Sequence, residues 1–418
     1  MQTVSEQSLR KCNKIDNELD EIVNVKSNQF NIIESQIQYD LSKMNSNYLI
    51  KQDDNNLANS DCQQFDTLNQ NNISNQQKDQ QIQQLINSQT IQERSTITQS
   101  NPRPFTYELI PKNSIKQNEH CHAIAVNKDY STLIAACDKQ IKVFGFKQGK
   151  LVQHEILNEH NRYVYTLNFM NRSDQFISGS GDSSIIIWKR NQNNSWICSQ
   201  KLNGHTREVY CLILNNNEDL IVSGSVDNTI KFWQNQNEWL CSQTISDHTS
   251  YPYSLSFNEQ QNKLISCGRD NLILVLEQQL NKQWMVIQTI VMEQFGLRLC
   301  FIDDNIFTCQ PYNTEYMHVF EMNNANEQYT KTKDIPVKGG QDCWLFPQQY
   351  IRSKCILVNK NASNVTLISN QQNGQFIPEQ SIQFGACDIF GCMTDDGQYL
   401  ITWDSTSKEF QIRQYQKN

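Results

Sequence analysis

The stretch SGSVDNTIKFW, residues 223–233, decides the fold because it recurs. SGSGDSSIIIW occupies residues 178–188 and SCGRDNLILVL residues 266–276. Upstream of each stands a histidine: His160, His205 and His248 lie 22 residues before Asp182, Asp227 and Asp270. In all three copies the serine (Ser178, Ser223, Ser266) precedes the aspartate by 4 residues, and the last apolar residue (Trp188, Trp233, Leu276) follows it by 6. Fixed spacing over this length is the mark of a structural repeat.

Weaker copies keep the phase in both directions. Phe144, Phe320, Leu367 and Ile412 end similar apolar runs, and the seven end points are 43 to 47 residues apart. A second series runs alongside: WICSQ (196–200), WLCSQ (239–243) and WMVIQ (284–288), with Phe376 to Gln380 and Phe105 to Leu109 as fainter members. Such a period, holding four strand-sized runs, predicts one four-stranded sheet per repeat, a propeller blade. CDIFGCM, YLITW and EFQIRQY supply three strands of a seventh blade. FTYELIP (105–111) matches the phase of the outermost strands, so it is expected to complete that blade and leave no open edge. The expected fold is all-β, a seven-bladed β-propeller over residues 105–418 closed by its own N-terminal strand.

Residues 1–104 differ in texture. Asn, Gln, Ser, Asp and Lys dominate, and NQNNISNQQKDQQIQQLINSQTIQ (69–92) is of low complexity. Such a segment buries too little apolar surface to offset its ordering entropy, so a mostly disordered region is expected. Ile15, Leu19 and Ile22, and then Ile33, Ile37, Leu41 and Met44, would each line one face of a short helix. Such helices could bind a partner or self-associate as a weak coiled coil. The two sets do not share one heptad phase.

Composition narrows the function classes. The formal net charge of -8 argues against a broad nucleic-acid footprint. No run approaches 18 apolar residues, and MQTVSEQSLRKCNK has no apolar targeting core, so neither membrane insertion nor secretion is expected. The 14 cysteines include no C-x-x-C, and His120-Cys121-His122 has no second ligand pair in sequence. They read as reduced core residues of an intracellular protein, cytoplasmic rather than nuclear. No metal is expected.

GH followed by SGSVDNTIKFW resembles the WD-repeat family over residues 156–276, and less strongly over 105–155 and 277–418. The Trp-Asp pair itself is missing, since Lys189 follows Trp188 and Gln234 follows Trp233. The resemblance implies that His160, Ser178, Asp182 and Trp188, and likewise His205, Ser223, Asp227 and Trp233, hydrogen-bond within a blade. The aspartate would hold the histidine while the tryptophan donates its ring N–H. His248, Ser266 and Asp270 would form a triad, with Leu276 in the tryptophan position. A hydrolase triad is the competing reading of Ser, His and Asp. The set recurs in blade after blade, which one active site would not do, so it is assigned to folding. No cofactor and no catalysis are expected.

In such propellers, partners meet residues three and five after the repeat histidine and one before the turn aspartate. Carried over, these are Tyr163, Glu208 and Tyr251, then Tyr165, Tyr210 and Tyr253, then Gly181, Val226 and Arg269. Extending the register adds Trp344, Asp342 and Asp388. Tyrosine offers a large ring and a polar tip at small entropic cost, which suits interfaces. The same rings could instead pack between blades or line the central channel. The function these residues point to is a non-catalytic scaffold binding other proteins within a multiprotein complex. WICSQKLNGH and WLCSQTISDH are also similar to the cytosolic iron–sulfur assembly propeller. That resemblance implies an alternative, docking of client apoproteins with no cluster held. A ubiquitin-ligase receptor is disfavoured, because its Trp-Asp-x-Arg signature is absent after Trp188 and Trp233.

Overall fold

The computed structural model describes residues 104–340 and 345–417. The expected helices and disorder in the N-terminal region, Asp342 and Trp344 lie outside the described residues. The rest is a ring of seven antiparallel sheets. Blade 1 comprises Cys121–Val126, Thr132–Cys137, Gln140–Lys147 and Lys150–Leu157. Blade 2 runs from Val164–Phe169 to Trp196–Asn203, blade 3 from Val209–Leu214 to Trp239–Ile245, and blade 4 from Pro252–Phe257 to Trp284–Val291. Blade 5 runs from Gly296–Phe301 to Gln328–Pro336 and blade 6 from Gln349–Ile351 to Phe376–Gln383.

Blade 7 takes three strands from one end of the domain, Ile389–Met393, Tyr399–Asp404 and Glu409–Lys417, and its outermost from the other, Phe105–Leu109. Phe105 pairs with Lys417 and Leu109 with Arg413. Closure between the two ends of the domain removes the unpaired edges that would otherwise recruit another chain.

The core lies between blades. Seven apolar clusters among the described residues fill the seven blade-to-blade interfaces. Alternate residues of a third strand serve opposite neighbours: Trp233 packs toward blade 2, and Phe232 toward blade 4. Both faces of such a strand are covered, so it reads as a continuous apolar run such as SIIIW, without polar alternation. Gly179 shows the tightness of the fit. A Cβ there would stand 2.8 Å from the Val209 side chain of the next blade.

The end points shift in two blades. A register step sits just before Phe144, Trp233, Leu276 and Phe320, but just after Leu367. Ile368, opposite Leu357, therefore fills the tryptophan position of blade 6. In blade 7 the position opposite Leu400 is held by Arg413, one residue beyond Ile412. The Arg413 guanidinium donates to Thr402 Oγ1 at 3.1 Å, the bond that Trp233 Nε1 makes to Ser223 Oγ at 2.8 Å in blade 3.

Candidate functional site

Every blade begins with its innermost strand at the same end of the ring. The loops entering the blades and the turns between second and third strands share that end, called the top here. Each repeat aspartate sits in such a turn, followed by a residue in the left-handed region: Ser183 at φ 68°, Asn228 at 68° and Asn271 at 63°. Asn tolerates this conformation better than most residues.

The repeated polar sets are internal hydrogen-bond chains. In blade 3, Trp233 Nε1 donates to Ser223 Oγ (2.8 Å), Ser223 Oγ meets His205 Nε2 (2.7 Å), and His205 Nδ1 meets Asp227 Oδ2 (2.8 Å). A carboxylate only accepts, so Nδ1 carries the proton and the serine hydroxyl donates to Nε2. Blade 2 repeats the chain through Trp188, Ser178, His160 and Asp182, at 2.8, 2.7 and 3.0 Å. Blade 4 keeps His248 to Asp270 (2.8 Å) and His248 to Ser266 (2.9 Å), with Leu276 where the tryptophan would be. Burial raises the Asp227 carboxyl pKa, but hydrogen bonds from His205, Thr229 and the Thr206 N–H outweigh it and hold the group well below the usual range. The hydroxyls of Ser178 and Ser223 are buried between histidine and tryptophan, which closes these two oxygens to a substrate.

The tyrosines owe their positions to β-bulges. The first strand of each of blades 1 to 4 slips register around its second residue: His122, Tyr165, Tyr210 and Tyr253. A bulged residue is unpaired and its side chain is re-aimed. The four rings run along the top mouth of the channel. Ring centroids are 5.3 Å apart from His122 to Tyr165, 5.2 Å from Tyr165 to Tyr210, and 6.0 Å from Tyr210 to Tyr253. The row continues through Phe295 to Tyr312 of blade 5, and through Phe390 into blade 7. Below it, a channel cavity of about 310 Å³ is lined by Tyr165, Tyr210, Tyr253, Leu297 and Gln348 among others.

The members of the row differ in exposure. Tyr163 is 50% exposed, Tyr165, Tyr210 and Tyr251 are half-buried, and Tyr253 is only 8% exposed. Tyr253 packs between Tyr210 and Phe295, which is the packing alternative set out for these rings above. The hydroxyls of Tyr163, Tyr165, Tyr210 and Tyr251 make no hydrogen bond to another described residue. Glu208 and Arg269 stand on the same rim, and Asp388 faces His120 and His122 from blade 7. Gly181 and Val226 are buried and offer little surface. Sequence reasoning missed the flanking aromatics His122, Phe295, Tyr312 and Phe390. His122 was findable, because it is the second residue of blade 1's first strand, as the tyrosines are of theirs.

Among the described residues, no cluster of three His, Cys, Asp or Glu could hold a metal ion. No helix among them is long and apolar enough to cross a membrane.

The described residues form a closed propeller in which blades 2 to 4 carry the repeated hydrogen-bond set. The family model described as WD domain, G-beta repeat matches residues 149–189, 196–234 and 239–275, so these are WD repeats. Each begins in the outermost strand of one blade and ends in the third strand of the next, so the sequence unit straddles two sheets. No curated protein matches the chain. Among solved structures, a chain of the "Crystal Structure of Mitotic Checkpoint Complex" aligns with a TM-score of 0.59 at 13% identity, over 72% of this chain and 92% of that one. At that identity the likeness is one of fold. The 1618 matching solved chains show how widely the shape is shared, so shape alone names no partner.

Proposed function

We propose that this protein is a non-catalytic scaffold that binds a protein partner across the tyrosine rim of its propeller, inside the cell and as part of a larger complex. The observation that carries the reading is the continuous ring row at the channel mouth, in which the hydroxyls of Tyr163, Tyr165, Tyr210 and Tyr251 make no hydrogen bond to another described residue. Tyr163, Tyr165, Tyr210 and Tyr251 would supply apolar contact and polar tips, with Glu208 and Arg269 beside them. Exposed aromatic surface joined to free donors is what interface hot spots are built from. Tyr253 serves as packing behind them. Trp344 keeps its place as a candidate from the sequence register.

The test is affinity purification of the full chain beside a Tyr163→Ala, Tyr210→Ala double variant, each checked by thermal melting. Partners should be lost from the variant while its melting temperature falls only slightly. Retention of every partner by a folded variant would overturn the reading.

A further inference from the structure

His120 ends the loop entering blade 1, and His122 is the second residue of that blade's first strand. Cys121 between them turns into the core, so the two imidazoles share the other side, with ring centroids 4.4 Å apart. Phe390 of blade 7 lies 5.4 Å from His120 and 5.5 Å from His122. Trp403 lies 5.0 Å from His120, and Tyr163 and Tyr165 of blade 2 each lie 5.3 Å from His122. This packing gives the imidazoles nothing to hydrogen-bond: His120 Nδ1 and both nitrogens of His122 are buried without a partner. A buried polar atom left unpaired raises the free energy of the arrangement that holds it.

Asp388 is the acceptor that the pair lacks. It ends the loop entering blade 7, two residues before Phe390, and its charge acts on both rings. Its carboxylate makes no hydrogen bond or ion pair with another described residue. The other acids around the pair are engaged. Asp138, in the turn of blade 1, acts on His120 but shares a cavity of about 570 Å³ with Lys139 and Arg162. Glu119 is bonded to Lys142 at 2.9 Å. Blade 2 brings Tyr163 and Tyr165 against the pair as its titratable groups.

A neutral imidazole suits an aromatic row. An imidazolium does not, because it carries a charge and two donors into a place with no acceptor. Burial first lowers the pKa of both rings, the charge of His120 adds to this at His122, and the aspartates oppose it. The folded pKa lies below the ordinary one, so the neutral stacked pair is the state at neutral pH and the proton enters only as pH falls.

We infer that His120 and His122 form a proton-driven latch on the rim: on protonation the rings leave the aromatic row and pair with Asp388 across the seam between blades 1 and 7, uncovering Tyr163 and Tyr165. The latch goes beyond the interaction reading and does not depend on what the rim binds.

The test is NMR of the full chain with selectively labelled histidine and tyrosine, from neutral pH down to about pH 4.5. Single His→Phe variants assign the imidazole signals. As pH falls, the His122 ring should lose its ring-current shift and its nuclear Overhauser contact to Tyr165 in one step with its protonation, while the fold persists. Asp388→Asn removes the acceptor without breaking a bond in the neutral state. It should move that midpoint down by about one pH unit, a tenfold loss of proton affinity. Protonation with the Tyr165 contact retained would overturn the latch. So would a His122 ring that stays neutral until the protein unfolds, or an unchanged midpoint in folded Asp388→Asn.

Discussion

Gln380 accepts the backbone N–H of Tyr107 at 2.7 Å and donates its own amide to the carbonyl of the same residue at 3.2 Å. This joins blade 6 to the strand that closes blade 7. The same two-pronged bond links Gln200 to Trp239, Gln243 to Trp284 and Gln288 to Tyr329. A side-chain amide copies the backbone's donor and acceptor, so it pairs with a peptide unit as a strand would. The Trp-to-Gln spacing thus serves adhesion between blades, and the WICSQ and WLCSQ stretches have a use independent of any partner.

Gln380→Ala should therefore loosen the closure. It removes two hydrogen bonds at a part-buried seam, worth about 1–2 kcal/mol together. Hydrogen exchange should quicken first in residues 105–109, ahead of the remaining sheets. Unchanged protection there would show that burial of Phe105 and Tyr107, both 2% exposed, holds the strand without the amide.

Blade 1 offers the reverse experiment. Glu155 occupies the glutamine position, opposite Val143, and makes one bond, accepting the Trp196 N–H at 3.3 Å. A carboxylate cannot donate to the Trp196 carbonyl. Glu155→Gln should complete the pair and stabilise the protein by about 0.5–1 kcal/mol, read as a raised urea midpoint with an unchanged slope. A lowered midpoint would mean that the negative charge serves another purpose.

The hydrogen-bond chain in blade 3 gives the third test. Asp227→Ala leaves buried His205 Nδ1 and the Thr206 and Thr229 N–H groups without their acceptor. The expected loss is about 1–3 kcal/mol. Partner binding should fall only as far as folded protein falls. Lost binding at wild-type melting temperature would give this aspartate a role at the interface.

What the sequence disclosed follows from what repeats. The polar sets of blades 2 to 4 and the Trp-to-Gln strands are chemically distinctive, so spacing alone located four strands per blade, and the phase of FTYELIP located the closing strand. Blades 5 to 7 fill the same positions with different side chains. Arg413 does a tryptophan's hydrogen bonding, and Ile368 displaces Leu367 by one residue, which no apolar-run count distinguishes. The tyrosine arc was legible as a register position, but its depth was not. Exposure depends on neighbours such as Phe295 and Phe390 that arrive from other blades.

The last prediction concerns His122, at the blade 1 end of the arc. Its ring packs near Tyr163, Tyr165, Phe390 and His120, and neither ring nitrogen has a hydrogen-bond partner among the described residues. Burial first, and then the charge of His120, pull its pKa from 6.5 to about 4, with Asp388 opposing. The unfolded chain takes up this proton near its ordinary pKa, whereas the folded chain resists until about pH 4. The unfolded state therefore binds more protons in that window, and stability rises with pH across it. The stabilising contribution is present above the unfolded pKa, is lost progressively as pH falls, and stops changing below the folded value. Its full size is on the order of 3 kcal/mol. Lowered pKa values at His120, His205 and His318 act in the same direction. His122→Phe keeps an aromatic ring in the row and removes one titrating group. Unfolding free energy measured from neutral pH down to about the ordinary carboxylate range should fall less steeply in this variant than in the wild type. Parallel slopes would mean that His122 is protonated in the folded protein as readily as in the unfolded chain, with its charge met by Asp388.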